Sequence, residues 1–262
     1  MASLITYQKD VQGVITITLN RPDKRNAFNE QMITELSEAF TLANQDKTAR
    51  VVVLTASGDT FCAGADLKWM KKMVNYDYET NHKDAMQLAL MLNQLHSLNK
   101  PTIARINGAA FGGAVGLIAC CDVAVATKLS KFCLSEVLLG LTPATIAPYV
   151  IKAIGARHAK RYMQSAEVIS AKRARRIGLV SEAVCEEDLD TTVSMFIQKF
   201  RAASPQALTL TKQLIDLCDK HAIDDTLQQK TAATIASIRV SEEGQEGLNA
   251  FFAKRKANWQ QE

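Results

Sequence analysis

The chain has 262 residues, 47% hydrophobic and 22% charged, enough to bury a sizeable core in one large or two modest domains and too apolar for a disordered chain. A formal charge of +4 and a pI near 8.7 are too mildly basic to argue for nucleic acid, though they suit a substrate that carries phosphates. No run of 18 apolar residues occurs, so no membrane span is expected. The first residues lead almost directly into a strand pattern, so no targeting peptide is expected and the cytoplasm is the default compartment.

In chain order, residues 14–19 alternate like a strand and lead into the turn-rich basic loop Asn20-Arg21-Pro22-Asp23-Lys24-Arg25-Asn26. Met32, Ile33, Leu36, Phe40 and Ala43 then recur at helical spacing. Residues 50–55 read as an apolar strand buried on both faces. They empty into the small-residue loop Gly58-Asp59-Thr60-Phe61-Cys62-Ala63-Gly64-Ala65-Asp66. Asp66 can cap a helix that starts at Leu67, which puts the N–H of Ala65 or Asp66 at a helix start. Residues 75–83 are polar and carry tyrosine, the pattern of a mobile flap, and a helix follows through Met86, Leu90, Leu92 and Leu95.

The stretch Asn107-Gly108-Ala109-Ala110-Phe111-Gly112-Gly113-Ala114-Val115-Gly116 places four glycines between a strand-like run, 101–106, and a small apolar helix-like run, 117–121. Glycine lacks a Cβ, so the N–H groups of Gly112 and Gly113 can come against a ligand where a helix N-terminus adds positive potential. A tight turn or close packing is the alternative. Neither a G-x-G-x-x-G fingerprint nor a phosphate-binding P-loop occurs. Two strand-to-loop-to-helix junctions, near 55–68 and 106–117, thus each offer backbone donors, and two converging donors make an oxyanion hole.

Residues 122–126 form another short strand. Glu136 is the only charge between Phe132 and Tyr149, and desolvation there would raise its pKa toward the range useful for proton transfer. The alternative is a surface carboxylate at a turn or one paired with an arginine. From about Tyr149 the pattern is helical, with Ser170 as a cap, Gly178 as a stop, and Ser204-Pro205 opening another helix. Residues 242–259 are amphipathic, with Phe251 and Phe252 on one side and Lys254, Arg255 and Lys256 in the closing turns. Such lone helices need a surface to cover, which suggests packing across subunits. The six cysteines, at 62, 120, 121, 133, 185 and 218, read as reduced, buried small hydrophobes. The four histidines are scattered, so no metal is expected. The basic run Lys172-Arg173-Ala174-Arg175-Arg176 reads as a solvated helix face rather than a site for RNA.

Four ordered motifs now stand together: Asn20-Arg21-Pro22 with Asn26-Ala27, then Phe61 to Lys68, then the glycine stretch, then Glu136 with Leu138-Leu139-Gly140. By these the chain resembles the crotonase (enoyl-CoA hydratase/isomerase) family over nearly its whole length. The resemblance implies an α/β fold, a crotonase-like spiral of ββα units over residues 1–200 with a C-terminal helical trimerisation region at 201–262, assembled as a homotrimer or dimer of trimers. It implies an acyl-coenzyme A substrate, with coenzyme A as the thioester part and no further cofactor. The N–H groups of Ala65 and Gly113 would hold the thioester oxygen, with Glu136 as the acid. Lys24, Arg25, Ala27, Ala63 and Lys68 match the coenzyme A surface, and Phe251 and Lys254 match the part that approaches the nucleotide of a neighbouring subunit's ligand.

Hydratases of the common type carry two glutamates, the first at the position held here by Gly116. One acid suits a Δ3,Δ2-enoyl-CoA isomerase. Yet residues 112–117, with 141–149, most resemble a bacterial branch of methylglutaconyl-CoA hydratases of leucine and isovalerate breakdown. On that reading Gly112, Gly116 and Leu141 line the substrate pocket, Gly116 leaves room for a β-methyl, carboxylate-bearing acyl group, and the substrate's own carboxylate, or a flap group such as Glu79 or His82, helps position water. A general enoyl-CoA hydratase, an RNA-binding relative and a non-catalytic homologue are the competing expectations.

Overall fold

The computed structural model describes residues 3–260. The strands β1 (Ile5–Lys9) and β2 (Val14–Leu19) form an antiparallel pair, and α1 (Glu30–Gln45) follows. Three units then repeat one plan. The first holds β3 (Val51–Ala56), β4 (Thr60–Cys62), α2 (Leu67–Met73) and α3 (Tyr78–His96). The second holds β5 (Thr102–Ile106), β6 (Ala109–Phe111) and α4 (Gly113–Cys120), and the third holds β7 (Val123–Thr127), β8 (Lys131–Cys133) and α5 (Ala147–Ser165). Next come β9 (Ile169–Ser170), α6 (Ala171–Arg176), β10 (Glu182–Val184) and α7 (Leu189–Arg201). The chain closes with α8 (Pro205–Lys220), α9 (Asp225–Arg239) and α10 (Glu242–Phe252).

In each unit the longer first strand joins a six-stranded sheet, ordered β1-β2-β3-β5-β7-β10, and the three-residue second strand joins a smaller sheet, ordered β4-β6-β8-β9. Parallel neighbours need a crossover, which the helices supply. This is the expected spiral of ββα units. Every residue of β3 is buried, because the large sheet is covered on both faces. Val52 and Leu54 face the main core with Met32, Leu36 and Phe40 of α1. Val51 and Val53, turned the other way by the two-residue period of a strand, pack with Leu189 and Val193 of α7.

Several expectations change on folding. Residues 75–83 are not a separate flap: Asp77 accepts the N–H of Thr80 at 2.8 Å and starts α3, so this polar run is mostly the helix's solvent-facing first turns. The helix expected from Tyr149 begins at Ala147, with Pro148 in its first turn, and it breaks at Gly155, whose φ of 74° and ψ of 154° are not helical. The last helix stops at Phe252, so Lys254, Arg255 and Lys256 lie beyond it, Lys254 with a φ of 52°. Cys62, Cys120 and Cys133 are buried as expected, but Cys121 and Cys185 are only partly covered and Cys218 is exposed.

Among the described residues no helix is long and apolar enough to cross a membrane. The helices α8 to α10 contribute only Leu227 and Ala250 to the buried set and leave Ile215, Ile235, Leu248, Phe251 and Phe252 exposed. Their end is tied to the sheet by Arg50, at the start of β3, which donates to the carbonyls of Trp259, Arg201 and Ala203.

Phe40 is fully buried at the centre of the α1 contact with the sheet. Phe40→Ala is expected to cost about 3–5 kcal/mol, read from the midpoint of urea unfolding.

Candidate active site

The site is built where the short strands end. Thr60 lies opposite Ala109 and Cys62 opposite Ala110, so β4 and β6 run parallel and deliver their turns side by side. After β4, Gly64 adopts a φ of +94°, and a Cβ there would stand 3.1 Å from the carbonyl oxygen of Phe111. Only glycine makes this turn at this distance. The Phe28 N–H donates to the Gly64 carbonyl at 2.8 Å, and the Asp66 N–H donates to the Phe28 carbonyl at 2.7 Å. Ala65, exposed between them, has no acceptor for its N–H among the described residues. The second turn repeats the logic. Gly112, at φ +55° and ψ −125°, donates its N–H to the Cys133 carbonyl at 2.8 Å, which leaves the N–H of Gly113 free at the N-terminus of α4. Of the four N–H groups considered from the sequence, Asp66 and Gly112 are engaged within the fold. Ala65 and Gly113 are the two without an acceptor among the described residues.

Asp66 holds the first turn. Its carboxylate accepts the N–H groups of Lys68 at 2.7 Å and Trp69 at 3.2 Å, capping α2, and pairs with Arg21 at 2.7 Å. Burial alone would push this carboxyl up, but the Trp69 and Lys68 N–H groups and Arg21 together hold it below its ordinary value. Asn26, fully buried, donates to the carbonyls of Ser57 and Thr60 and accepts the Arg21 N–H. The Ala63 N–H donates to the Arg25 carbonyl at 2.9 Å. The loop with Lys24, Arg25 and Ala27 is thereby fastened beside Ala63 and the Ala65 turn, with Lys24 and Arg25 exposed and Ala27 buried. Lys68 stands exposed on the first turn of α2. Arg21 and Asn26 stood in the sequence motif without a role; their function is to join two loops, which spacing alone does not reveal.

Glu136 opens a short 3-10 helix, Glu136–Leu139, that ends at Gly140 in the left-handed region, and the Leu141 N–H donates back to the Glu136 carbonyl at 3.1 Å. Its Oε1 lies 3.3 Å from where a Cβ on Gly112 would be. Its Oε2 is buried without a hydrogen-bond partner, and the carboxyl pairs with no arginine or lysine among the described residues. Burial pushes its pKa above the ordinary carboxylate range. The carboxyl therefore belongs to the interior of the site and not to a surface turn.

Gly116 departs from expectation. A Cβ there would stand 2.2 Å from Cγ2 and 2.8 Å from Cβ of Ile146, and 3.6 Å from Cδ2 of Leu92. The space beside Gly116 is filled by Ile146, itself 1% exposed, and is not free for an acyl group. Leu141 is exposed beside Glu136, and Glu79 and His82 lie on the exposed outer turns of α3. Phe251 and Lys254 sit at the end of α10, in the tail anchored at the start of β3, the opposite end of that strand from the turns. Within this chain the fold does not bring them to Glu136. A cavity of about 370 Å³ opens at the far end of α4, beside Cys120, Cys121 and Tyr149, and touches none of Ala65, Gly113 or Glu136. Among the described residues no group of three or more His, Cys, Asp or Glu side chains is placed so that it could hold a metal ion.

The arrangement is two backbone N–H groups without acceptors among the described residues, on neighbouring turns, and a desolvated carboxyl against the second turn. It can stabilise an oxygen as it gains negative charge and move a proton at a neighbouring atom.

The family model described as enoyl-CoA hydratase/isomerase matches residues 9–262. Similar proteins include a crotonyl-CoA hydratase of Syntrophomonas wolfei, 32% identical over 95% of each chain. A 2,3-dehydroadipyl-CoA hydratase of Escherichia coli is 33% identical over 97% of each chain. The crystal structure of an enoyl-CoA hydratase from Shewanella pealeana superposes with a TM-score of 0.95 at 43% identity, covering 98% of this chain and 96% of that one.

A raised carboxyl pKa means that the folded state binds the Glu136 proton more tightly than the unfolded state, so its ionisation opposes folding as pH rises through the raised value. Glu136→Gln is expected to raise the thermal midpoint at pH 7, with the gain vanishing below the ordinary carboxyl value of 4.5. Calorimetry across that range checks it.

Proposed function

The chain belongs to the enoyl-CoA hydratase/isomerase family and is a hydratase-type lyase, for which we propose 3-methylglutaconyl-CoA as the substrate and Glu136 as the proton carrier. The observation that carries this reading is the buried, unpartnered Oε2 of Glu136 beside the free N–H groups of Ala65 and Gly113. The thioester oxygen binds between those two donors. Glu136, as carboxylate, takes a proton from a water whose oxygen attacks the β-carbon, and the double-bond electrons move onto the thioester oxygen. The resulting enolate is held by the two N–H groups, each donor of this kind contributing roughly 3–4 kcal/mol to the transition state. Protonated Glu136 then returns the same proton to the α-carbon on the same face. The sum is addition of one water, and the carboxylate is regenerated.

The exposed cations Lys24, Arg25 and Lys68, with Ala27 and Ala63, fit the phosphates and the pantetheine chain of coenzyme A along the rim next to Ala65. The exposed apolar faces of α8 to α10 suit contact with further copies in a trimer or a dimer of trimers, in which Phe251 and Lys254 would reach a neighbour's ligand. On this reading residues 1–200 are the catalytic spiral and 201–262 the assembly region. The acid-bearing acyl group is supported by the likeness to a 2,3-dehydroadipyl-CoA hydratase.

A second reading, Δ3,Δ2-enoyl-CoA isomerisation, is favoured by one observation: a carboxylate at position 116 is excluded by Ile146, and one carboxylate suffices to move a proton between carbons. Incubation with 3-methylglutaconyl-CoA, crotonyl-CoA and a 3-enoyl-CoA, followed by the absorbance of the conjugated thioester, separates them. Preference for the first substrate is expected. Turnover of the 3-enoyl substrate alone would replace hydration by isomerisation. Glu136→Gln is expected to lower kcat by about 10²–10⁴-fold while leaving coenzyme A binding nearly intact in calorimetric titration. A loss of binding equal to the loss of rate would overturn the role given to Glu136.

A further inference from the structure

Two glycines of α4 and its leading turn face the same stretch of chain. A Cβ on Gly112 would meet Oε1 of Glu136 at 3.3 Å, and a Cβ on Gly116 would meet Cγ2 of Ile146 at 2.2 Å. Contacts under about 3 Å are not found between real side-chain carbons and their neighbours, so the Gly116 backbone is where Ile146 seats. Glu136 and Ile146 are thus the two ends of one segment that lies along the glycine side of α4.

That segment is internally braced. The Leu141 N–H donates to the Glu136 carbonyl at 3.1 Å, the Ala144 N–H to Thr142 at 2.8 Å, and the Ala147 N–H to Pro143 at 2.9 Å. Its far end enters α5, whose Val150 and Ile154 are buried in the main core. The Glu136 carboxyl, by contrast, has no donor to Oε2 among the described residues to fix it. Its position is inherited from the segment that carries it.

We propose that Ile146 is a positioning residue for Glu136: seated on the bare backbone of Gly116, its side chain sets how closely the 136–146 segment lies against α4, and so where the Glu136 carboxyl stands relative to the Ala65 and Gly113 donors. The proposal rests on Glu136 as the proton carrier. It assigns Gly116 a role opposite to the one the sequence suggested, as a seat for Ile146 and not as space for substrate. Loosening or lifting the segment moves the carboxyl without touching the donors, so the rate changes and ground-state binding does not.

The test uses the full chain and 3-methylglutaconyl-CoA, with the Glu136 carboxyl titrated separately by carbon-13 NMR so that one readout is independent of turnover. Gly116→Ala pushes the segment outward and is expected to lower kcat by about 10²-fold with KM nearly unchanged, the cost of displacing a reacting group by about 1 Å. The carboxyl pKa falls toward its ordinary value as water reaches it. Ile146→Ala alone, which adds no bulk and covers the case of a Gly116→Ala chain that does not fold, is expected to lower kcat and the carboxyl pKa in the same directions at unchanged KM. Wild-type kcat and pKa in Ile146→Ala, or wild-type kcat in a folded Gly116→Ala chain, overturns the proposal. Glu136→Gln run alongside separates the two readings: if it retains full rate, the proton carrier itself is misassigned, and if it is inactive while Ile146→Ala is unaffected, only the positioning role is lost.

Discussion

Parallel pairing of three very short strands is the constraint on which the candidate site depends. Cys62 lies opposite Ala110, and Phe111 lies opposite Cys133, so β4, β6 and β8 end in register beside one another. Each of the three ββα units therefore brings one turn to the same edge of the small sheet: Ala65 follows β4, Gly113 follows β6 and Glu136 follows β8. The Gly112 N–H bonded to the Cys133 carbonyl continues that ladder past the strands and ties the second turn to the third unit. A slip of one residue in either pairing would turn a donor toward the core and leave the carboxyl facing a side chain.

Glu136 and Asp66 show how one small region treats two carboxyls differently. Asp66 is buried but accepts two backbone N–H groups and pairs with Arg21, so its charge is stabilised and its pKa lies below the ordinary value. Glu136 is half-buried with an unpartnered oxygen, so its charge is destabilised and its pKa lies above the ordinary value. The first arrangement serves the fold, since it caps α2 and locks the basic loop to the Ala65 turn. The second opposes the fold, as groups tuned for reaction commonly do, which is the setting the proposed proton transfer needs.

The three C-terminal helices obey a different rule. They bury few residues of their own and keep large apolar side chains at the surface, yet Arg50 ties their end firmly to the start of β3. A fixed frame with an uncovered apolar face is the kind of surface on which interaction sites are built.

The sequence by itself determined the periodic elements and the local chemistry. The alternation at Val14–Leu19, the helical spacing of Met32, Leu36 and Phe40, and the caps at Asp66, Ser170 and Ser204 are written in neighbouring residues, and the structure repeats them. The solitary charge of Glu136 and the glycine turn were legible for the same reason. Three-residue strands such as β4, β6 and β8 are too short to show a period. Which of two adjacent N–H groups is free depended on partners far along the chain, Phe28 for the first turn and Cys133 for the second. The neighbour of Gly116 was likewise decided only in three dimensions, because the missing Cβ is equally compatible with open space and with a buried isoleucine. Tertiary structure chose the isoleucine, and a sequence records only that there was room.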